Sequence, residues 1–295
     1  MKKKETAGKC VDKRNVFLAL AIVNNANPNG DPLANNYPRE TVAGHGKMSA
    51  VSIKRKLRNR MQDEGHDIFI VSDDRADDGI NNIYDRIMSN ADVAEAVKSR
   101  NEEEIKKAML SNFIDCRAFG ALIAVKAKPS DKSGLSVGIR GAVTIQDAFS
   151  YMPIMVQEDQ ITKSVNASEK EGRSSDRFGT KYSVDHGLYL IKGSVNPFYA
   201  RKNGFTNEDL EALKNALLTL YENDESAARP AGSMSIAKVF WWEGDITNSG
   251  MSRLYDSIKI SIKEGVANPS SIDDYVISVD PLVGAEEIQP PLVLG

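Results

Sequence analysis

Eight consecutive apolar residues, Val16-Phe17-Leu18-Ala19-Leu20-Ala21-Ile22-Val23, constrain this chain more than any other feature. A run of that length without polar alternation suits a strand covered on both faces, so it predicts a central strand with a layer packed on either side. It is too short to cross a bilayer, and no small-residue cleavage pattern follows it. The basic start Met1-Lys2-Lys3-Lys4 is therefore not read as a targeting segment, and a cytoplasmic protein with no membrane partner is expected. Cys10 and Cys116 lack C-x-x-C spacing, which fits a reducing compartment and argues against a disulfide framework or a zinc site.

The run breaks into Asn24-Asn25-Ala26-Asn27-Pro28-Asn29-Gly30-Asp31-Pro32, a cluster of turn formers that predicts a long loop. Gly44-His45-Gly46-Lys47 then leads into a helix expected from the capping residue Ser49 to Gly65. Its apolar stripe is Ala50, Ile53, Leu57 and Met61, with Lys54, Arg55 and Arg58 on another face. From Ile80 to Phe113 the pattern is helical, with Ile83, Ile87, Val93, Val97, Ile105 and Met109 as core candidates of an inserted helical subdomain. Residues 118–126 and 138–146 return to β character. Lys163 to Ser183 is polar and reads as a projecting loop or hairpin. Gly187–Ile191 is a short strand candidate, Thr206-Asn207-Glu208-Asp209 opens an amphipathic helix, and strands are expected at Ile236–Trp242 and Ser257–Ile262. Strand, helix, paired strands, helix, strand is the order of an α+β, RRM-like (ferredoxin-like) sheet with large insertions. The 295 residues are read as a single such domain.

A net charge of −3 excludes nucleic-acid coating by bulk charge alone, so any such site must be local. The cations do cluster, in Lys47, Lys54, Arg55, Lys56, Arg58 and Arg60. A glycine-containing loop feeding a cationic helix suits phosphate, because free backbone amides and the helix dipole attract anions. A solvated basic face explains the same pattern equally well. The spacing of a nucleotide-hydrolysing P-loop is absent. Three scattered histidines make no metal cluster: His66 and His186 are read as structural, and His45 either touches phosphate or serves as a general base.

Longer motifs separate these readings. Asn27-Pro28-Asn29-Gly30-Asp31-Pro32, Pro38-Arg39, Thr41-Val42-Ala43-Gly44-His45-Gly46 and Lys54-Arg55-Lys56-Leu57-Arg58 resemble the opening signature of the CRISPR-associated Cascade backbone family, I-C branch. The resemblance continues in Asp115-Cys116-Arg117-Ala118-Phe119-Gly120, Ile139 to Gln146, Ile161-Thr162-Lys163, Thr206 to Leu210 and Asp224 to Pro230, and so spans Val16 to Trp242. Ala142 replaces a frequent proline. Lys163 replaces a frequent arginine, which keeps the charge but weakens bidentate phosphate recognition.

The resemblance implies a right-hand shape: an RRM-like palm, helical fingers over residues 66–115 and a thumb hairpin over 155–183. It implies several copies along one guide RNA, beside other Cascade subunits, leaving bases free to pair with target DNA, with neither cofactor nor catalysis. By the same resemblance Arg39, Lys54 and Arg58 are the main phosphate contacts, followed by Lys47, Arg55, Lys56 and Lys163. Lys170, Arg173, Arg177, Phe178 and Lys181 would line the thumb, with Phe178 or Met155 as a wedge between bases. The competing expectation is a metal-dependent endoribonuclease using Asp31, which lies in the loop where relatives of other complexes carry a cutting aspartate. A histidine-based guide-processing ribonuclease and a generic RRM adaptor find no supporting motif.

Overall fold

The computed structural model describes residues 8–125, 135–162 and 178–292. The apolar run lies inside β1 (Arg14–Ala26), which overruns the expected strand into the turn cluster. The connection is less open than expected, because β2 (Gly30–Asp31) and β3 (Tyr37–Pro38) form a small hairpin and β4 (His45–Met48) follows. Next come α1 (Ala50–Asp63), α2 (Ile83–Ser89), α3 (Ala91–Ser99), α4 (Glu102–Asn112) and α5 (Ile114–Phe119). Five strands follow: β5 (Gly120–Val125), β6 (Leu135–Arg140), β7 (Val143–Ile145), β8 (Ala148–Pro153) and β9 (Val156–Thr162). The long strand β10 (Phe178–Val195) precedes α6 (Pro197–Asn203) and α7 (Asn207–Leu218). The last elements are β11 (Met234–Gly244), α8 (Asn248–Ser257), β12 (Ile258–Ile262), β13 (Tyr275–Val279) and β14 (Glu286–Ile288).

One large antiparallel sheet organises the molecule, with strands in the order β14-β11-β1-β10-β8-β4 and with β7 and β9 also paired to β10. β1 is central, and its eight apolar residues are buried. Side chains alternate across a strand, so the run serves two cores. Phe17, Ala19, Ala21 and Val23 meet Ile53, Leu57 and Met61 of α1 and Leu210, Leu213 and Leu217 of α7. Val16, Leu18, Leu20 and Ile22 meet Phe240 and Trp242 of β11, with Ile258 and Tyr275 of the β12–β13 hairpin on top and α8 at their margin. The strand expected at Ser257–Ile262 thus exists from Ile258, but in a covering hairpin and not in the large sheet.

A second core gathers Phe69, Ile87, Val93, Val97, Ile105, Met109, Phe113 and Cys116 with Ile123 and Val137. The last two belong to the β5–β6 hairpin, a separate two-stranded sheet registered Gly120↔Arg140 to Val125↔Leu135. The β5–β6 hairpin therefore completes the helical insertion, and the strands between it and α6 that join the main sheet are β7, β8, β9 and β10. Ile83, expected in this core, is 42% exposed at the first position of α2, directly after its Asn82 cap. The polar stretch before residue 183 contributes a hairpin arm: β9 pairs with β10 from Phe178↔Thr162 to Val184↔Val156.

Two predicted helix starts appear as capped termini. Ser49 Oγ accepts from the Ser52 amide at 3.2 Å, and Thr206 and Asp209 form a reciprocal capping box on α7.

Candidate nucleic-acid interface

The amino terminus of α1 is already filled. Asp147, just before β8, accepts from the Ala50 amide at 2.8 Å through Oδ1 and pairs with Lys47 at 2.8 Å through Oδ2. The Lys47 hydrogen bond, followed by the Ala50 amide, holds the Asp147 carboxyl below its usual range. The Ser49 amide is satisfied by Asn29 Oδ1 at 2.8 Å. Gly44–Lys47 is not an open phosphate loop either. His45 to Met48 pair with β8 at the sheet edge, and Gly46 lies so close to Tyr189 that an added Cβ would sit 2.1 Å from the hydroxyl. The expected anion site on the helix dipole is thus corrected: a carboxylate of the protein's own occupies it, and Lys47 serves that carboxylate.

The cations of α1 divide by face. Lys56 is buried, ion-paired with Asp224 and placed over the Tyr221 ring at 5.6 Å. Burial lowers its pKa against the opposing pull of Asp224. Asp224 also accepts from Arg229 Nε at 2.9 Å, so Lys56 fastens α1 to the turn before β11 and is withdrawn from the phosphate contacts. On the other face, Lys54 and Arg58 flank one aromatic ring, at 5.9 Å and 5.0 Å from the centroid of Phe119. Burial, then the neighbouring charge of Arg58, lowers the pKa of Lys54. Among the described residues no carboxylate pairs with Lys54. Arg55 donates to the Ile70 carbonyl at 2.6 Å, and its pKa is likewise lowered, by burial first and then by Arg58.

Arg58 is anchored more deeply than a projecting side chain, contrary to the expectation of a free face. Its Nε donates to Asp115 Oδ2 at 2.8 Å, and the fully buried Asp115 also accepts from the amides of Phe69 at 2.8 Å and Ile70 at 3.2 Å. Among the described residues its terminal Nη1 and Nη2 have no hydrogen-bond partner. The arrangement fixes the guanidinium through one nitrogen and leaves its terminal nitrogens unfilled, with 11% of the side chain exposed. Together Lys54, Arg58 and Phe119 make a compact surface with two positive charges and one partly exposed ring.

Arg39 lies apart from this surface in the hydrogen-bond network. It grips Asp31 with both terminal nitrogens, at 3.1 Å and 3.3 Å. Asp31 Oδ1 additionally accepts from the Leu33 amide at 3.1 Å. His45 Nδ1 lies 2.9 Å from the Ser150 carbonyl, which assigns the proton to Nδ1. His186 is structural, lying between Asn24 Oδ1 at 2.6 Å and the Tyr275 hydroxyl at 3.0 Å, and burial lowers its pKa. Met155 is 72% exposed where the β9–β10 hairpin begins. Lys163, Lys170, Arg173 and Arg177 fall outside the described residues; for Phe178 only the backbone, at the start of β10, is described.

Sequence reasoning missed Asp115, Phe119, Asp147 and Asp224 as partners of the α1 cations. Asp115 and Phe119 did stand within the Asp115 to Gly120 motif quoted for its resemblance. What was missing was the pairing across the fold.

The family model described as CRISPR-associated protein Cas7 matches residues 13–280, and the chain belongs to that family. A curated relative, the CRISPR-associated protein Cas7 of Haloferax volcanii, is 22% identical over 287 residues, covering 92% of this chain and 82% of its own. Among solved structures, a chain of a pre-nicking CRISPR RNA-guided surveillance complex is 15% identical, with a TM-score of 0.46, and covers 77% of this chain and 75% of its own. A chain of another CRISPR RNA-guided surveillance complex is 16% identical, with a TM-score of 0.45, covering 77% and 68%. Among the described residues no helix is long and apolar enough to cross a membrane.

Proposed function

We propose that this chain binds guide RNA along its phosphates as the repeated structural subunit of a type I-C Cascade complex, holding the guide so that its bases pair with target DNA. The order β11-β1-β10-β8, with α1 and α7 together on one face, supports reading the large antiparallel sheet as a ferredoxin-like palm. The helical insertion with its own core serves as fingers, and the β9–β10 hairpin as the base of the thumb. The observation that carries the reading is the Lys54–Phe119–Arg58 surface: two cations with unfilled donors, one of them desolvated, gain most from an oxyanion. Contacts of this kind read the backbone and leave base edges free.

Lys54→Gln tests it. Affinity for guide-length RNA should fall irrespective of sequence, and the slope of log affinity against log salt should shrink by roughly 0.7, one single-strand phosphate contact. A loss confined to one RNA sequence, or an unchanged slope, would remove the phosphate role.

The subunit is proposed to catalyse nothing. Both oxygens of Asp31 are engaged by Arg39, and Oδ1 by the Leu33 amide as well, which suits a hairpin clamp better than a metal ligand. Wild-type protein with magnesium or manganese should leave a complementary RNA intact. Cleavage at regular intervals that disappears in Asp31→Ala would make it an endoribonuclease.

A further inference from the structure

Away from the Lys54–Phe119–Arg58 surface, a cleft of about 1070 Å³ opens between α4 of the helical insertion and α6 behind the main sheet. Its floor is electrostatically settled. Arg117 holds Asp209 through two bonds of 2.7 Å, and Lys106 holds Glu103 at 3.2 Å. The carboxylate left on the wall, Glu208, is hydrogen-bonded to Thr206. The cations that remain are Lys107 on α4, Lys202 on α6 and Arg140 at the end of β6. Among the described residues neither Lys107 nor Lys202 meets a carboxylate.

Arg140 is built into an aromatic platform. Its Nη1 donates to the Tyr199 hydroxyl at 2.7 Å while the guanidinium lies 5.5 Å from the Tyr199 ring. Phe198 stands edge-on to that ring, with centroids 5.1 Å apart and planes at 85°, and is itself 60% exposed. An exposed phenylalanine beside an oriented guanidinium, with Lys202 one turn further along α6 and Lys107 on the α4 wall, is a stacking surface flanked by phosphate-binding charge.

We propose that this cleft binds a single strand of nucleic acid other than the guide, one base stacking on Phe198 and its phosphates facing Lys107, Arg140 and Lys202. It is reached from a different set of elements than the α1 surface: α4, β6 and α6 line it, and no residue of α1 does. In a chain with a net charge of −3, three cations here are left without an ion pair among the described residues against one unpaired carboxylate, Glu208, an excess of positive charge that a solvated salt-bridge face does not explain.

The test uses the full-length protein loaded on its guide RNA, with fluorescent oligothymidine and oligouridine that do not complement the guide. Wild type should bind one or both, Phe198→Ala should weaken that binding about tenfold, and Phe198→Tyr should stay within about twofold, as loss and retention of one stacked base predict. Lys107→Gln with Lys202→Gln should lower the salt slope by roughly 1.4. Guide retention, followed in parallel by the length of co-purified RNA, should be the same in all variants. A preference for oligothymidine marks a DNA strand as the ligand, and one for oligouridine an RNA strand. The proposal is overturned if wild type binds neither probe, if Phe198→Ala binds as wild type does, or if the variants change only the number of copies per guide, which would make the cleft a contact between copies. Failure of wild type to retain guide RNA would count against the guide reading alone, since oligothymidine binding can still be measured on the RNA-free chain.

Discussion

The inner and outer faces of α1 carry the same chemistry to opposite ends. On the inner face Lys56 and Arg60 are buried and consumed: Lys56 by Asp224, Arg60 by the Thr219 hydroxyl at 3.0 Å and Asp63 at 2.7 Å. On the outer face Lys54 has no carboxylate among the described residues, and Arg58 commits one nitrogen of three. Spacing on the helix separates the faces, but a cation's role is decided by which carboxylates the rest of the fold brings to it. The inner set holds the helix to α7 and the turn after it; the outer set is left with binding capacity.

The largest effect should come from the residue that joins the two roles. Asp115 is fully buried and receives Arg58 together with two backbone amides, so Asp115→Ala strands three donors at once. Breaking a buried pair of this kind costs about 3–5 kcal/mol, and a urea midpoint falling accordingly, with RNA binding lost alongside the fold, is expected. A stable variant with normal RNA binding would mean that Arg58 needs no anchor.

Lys56→Met should do less, and do it to stability only. Arg229 still holds Asp224 when the lysine is gone, which limits the loss to about 1–3 kcal/mol. RNA affinity of the folded fraction, measured well below the melting temperature, should match wild type. A sequence-independent loss of affinity would place Lys56 back among the phosphate contacts and erase the distinction between the faces.

That distinction was not legible in the sequence, although much of the fold was. The unbroken apolar run announced a strand between two layers, and Ser49 and Thr206 announced helix starts, because each of those signals is local. The cations cluster within one short stretch, but their partners lie 57 residues away for Arg58 and 168 for Lys56, and no local pattern reports such distances. The same limit misplaced the β5–β6 hairpin: β character identified strands, while only the match of Ile123 and Val137 to Phe113 and Cys116 assigns them to the second core. His45 to Met48 read as loop because glycine punctuates it, yet Gly46 is there to let β4 lie against Tyr189.

The subtlest contrast is in protonation. Lys54 has its pKa lowered by burial and by Arg58, with no carboxylate to restore it. In the folded protein its charged form is therefore disfavoured relative to the unfolded chain, so the charge costs stability at neutral pH and that cost is relieved as pH rises through the folded pKa toward 10.5. Lys54→Gln should melt no lower than wild type, where an ordinary ion-paired lysine would melt lower. Binding moves the other way. A phosphate beside Lys54 favours the charged form, so affinity should decline with rising pH sooner than an ordinary lysine would allow, and Lys54→Arg, which stays charged throughout, should flatten that decline. A 2′-O-methyl RNA, which resists alkaline cleavage, permits the titration. Parallel curves for wild type and Lys54→Arg would show that Lys54 does not face the phosphates, leaving Arg58 as the outer face's contact and reducing the difference between the two faces to a single guanidinium.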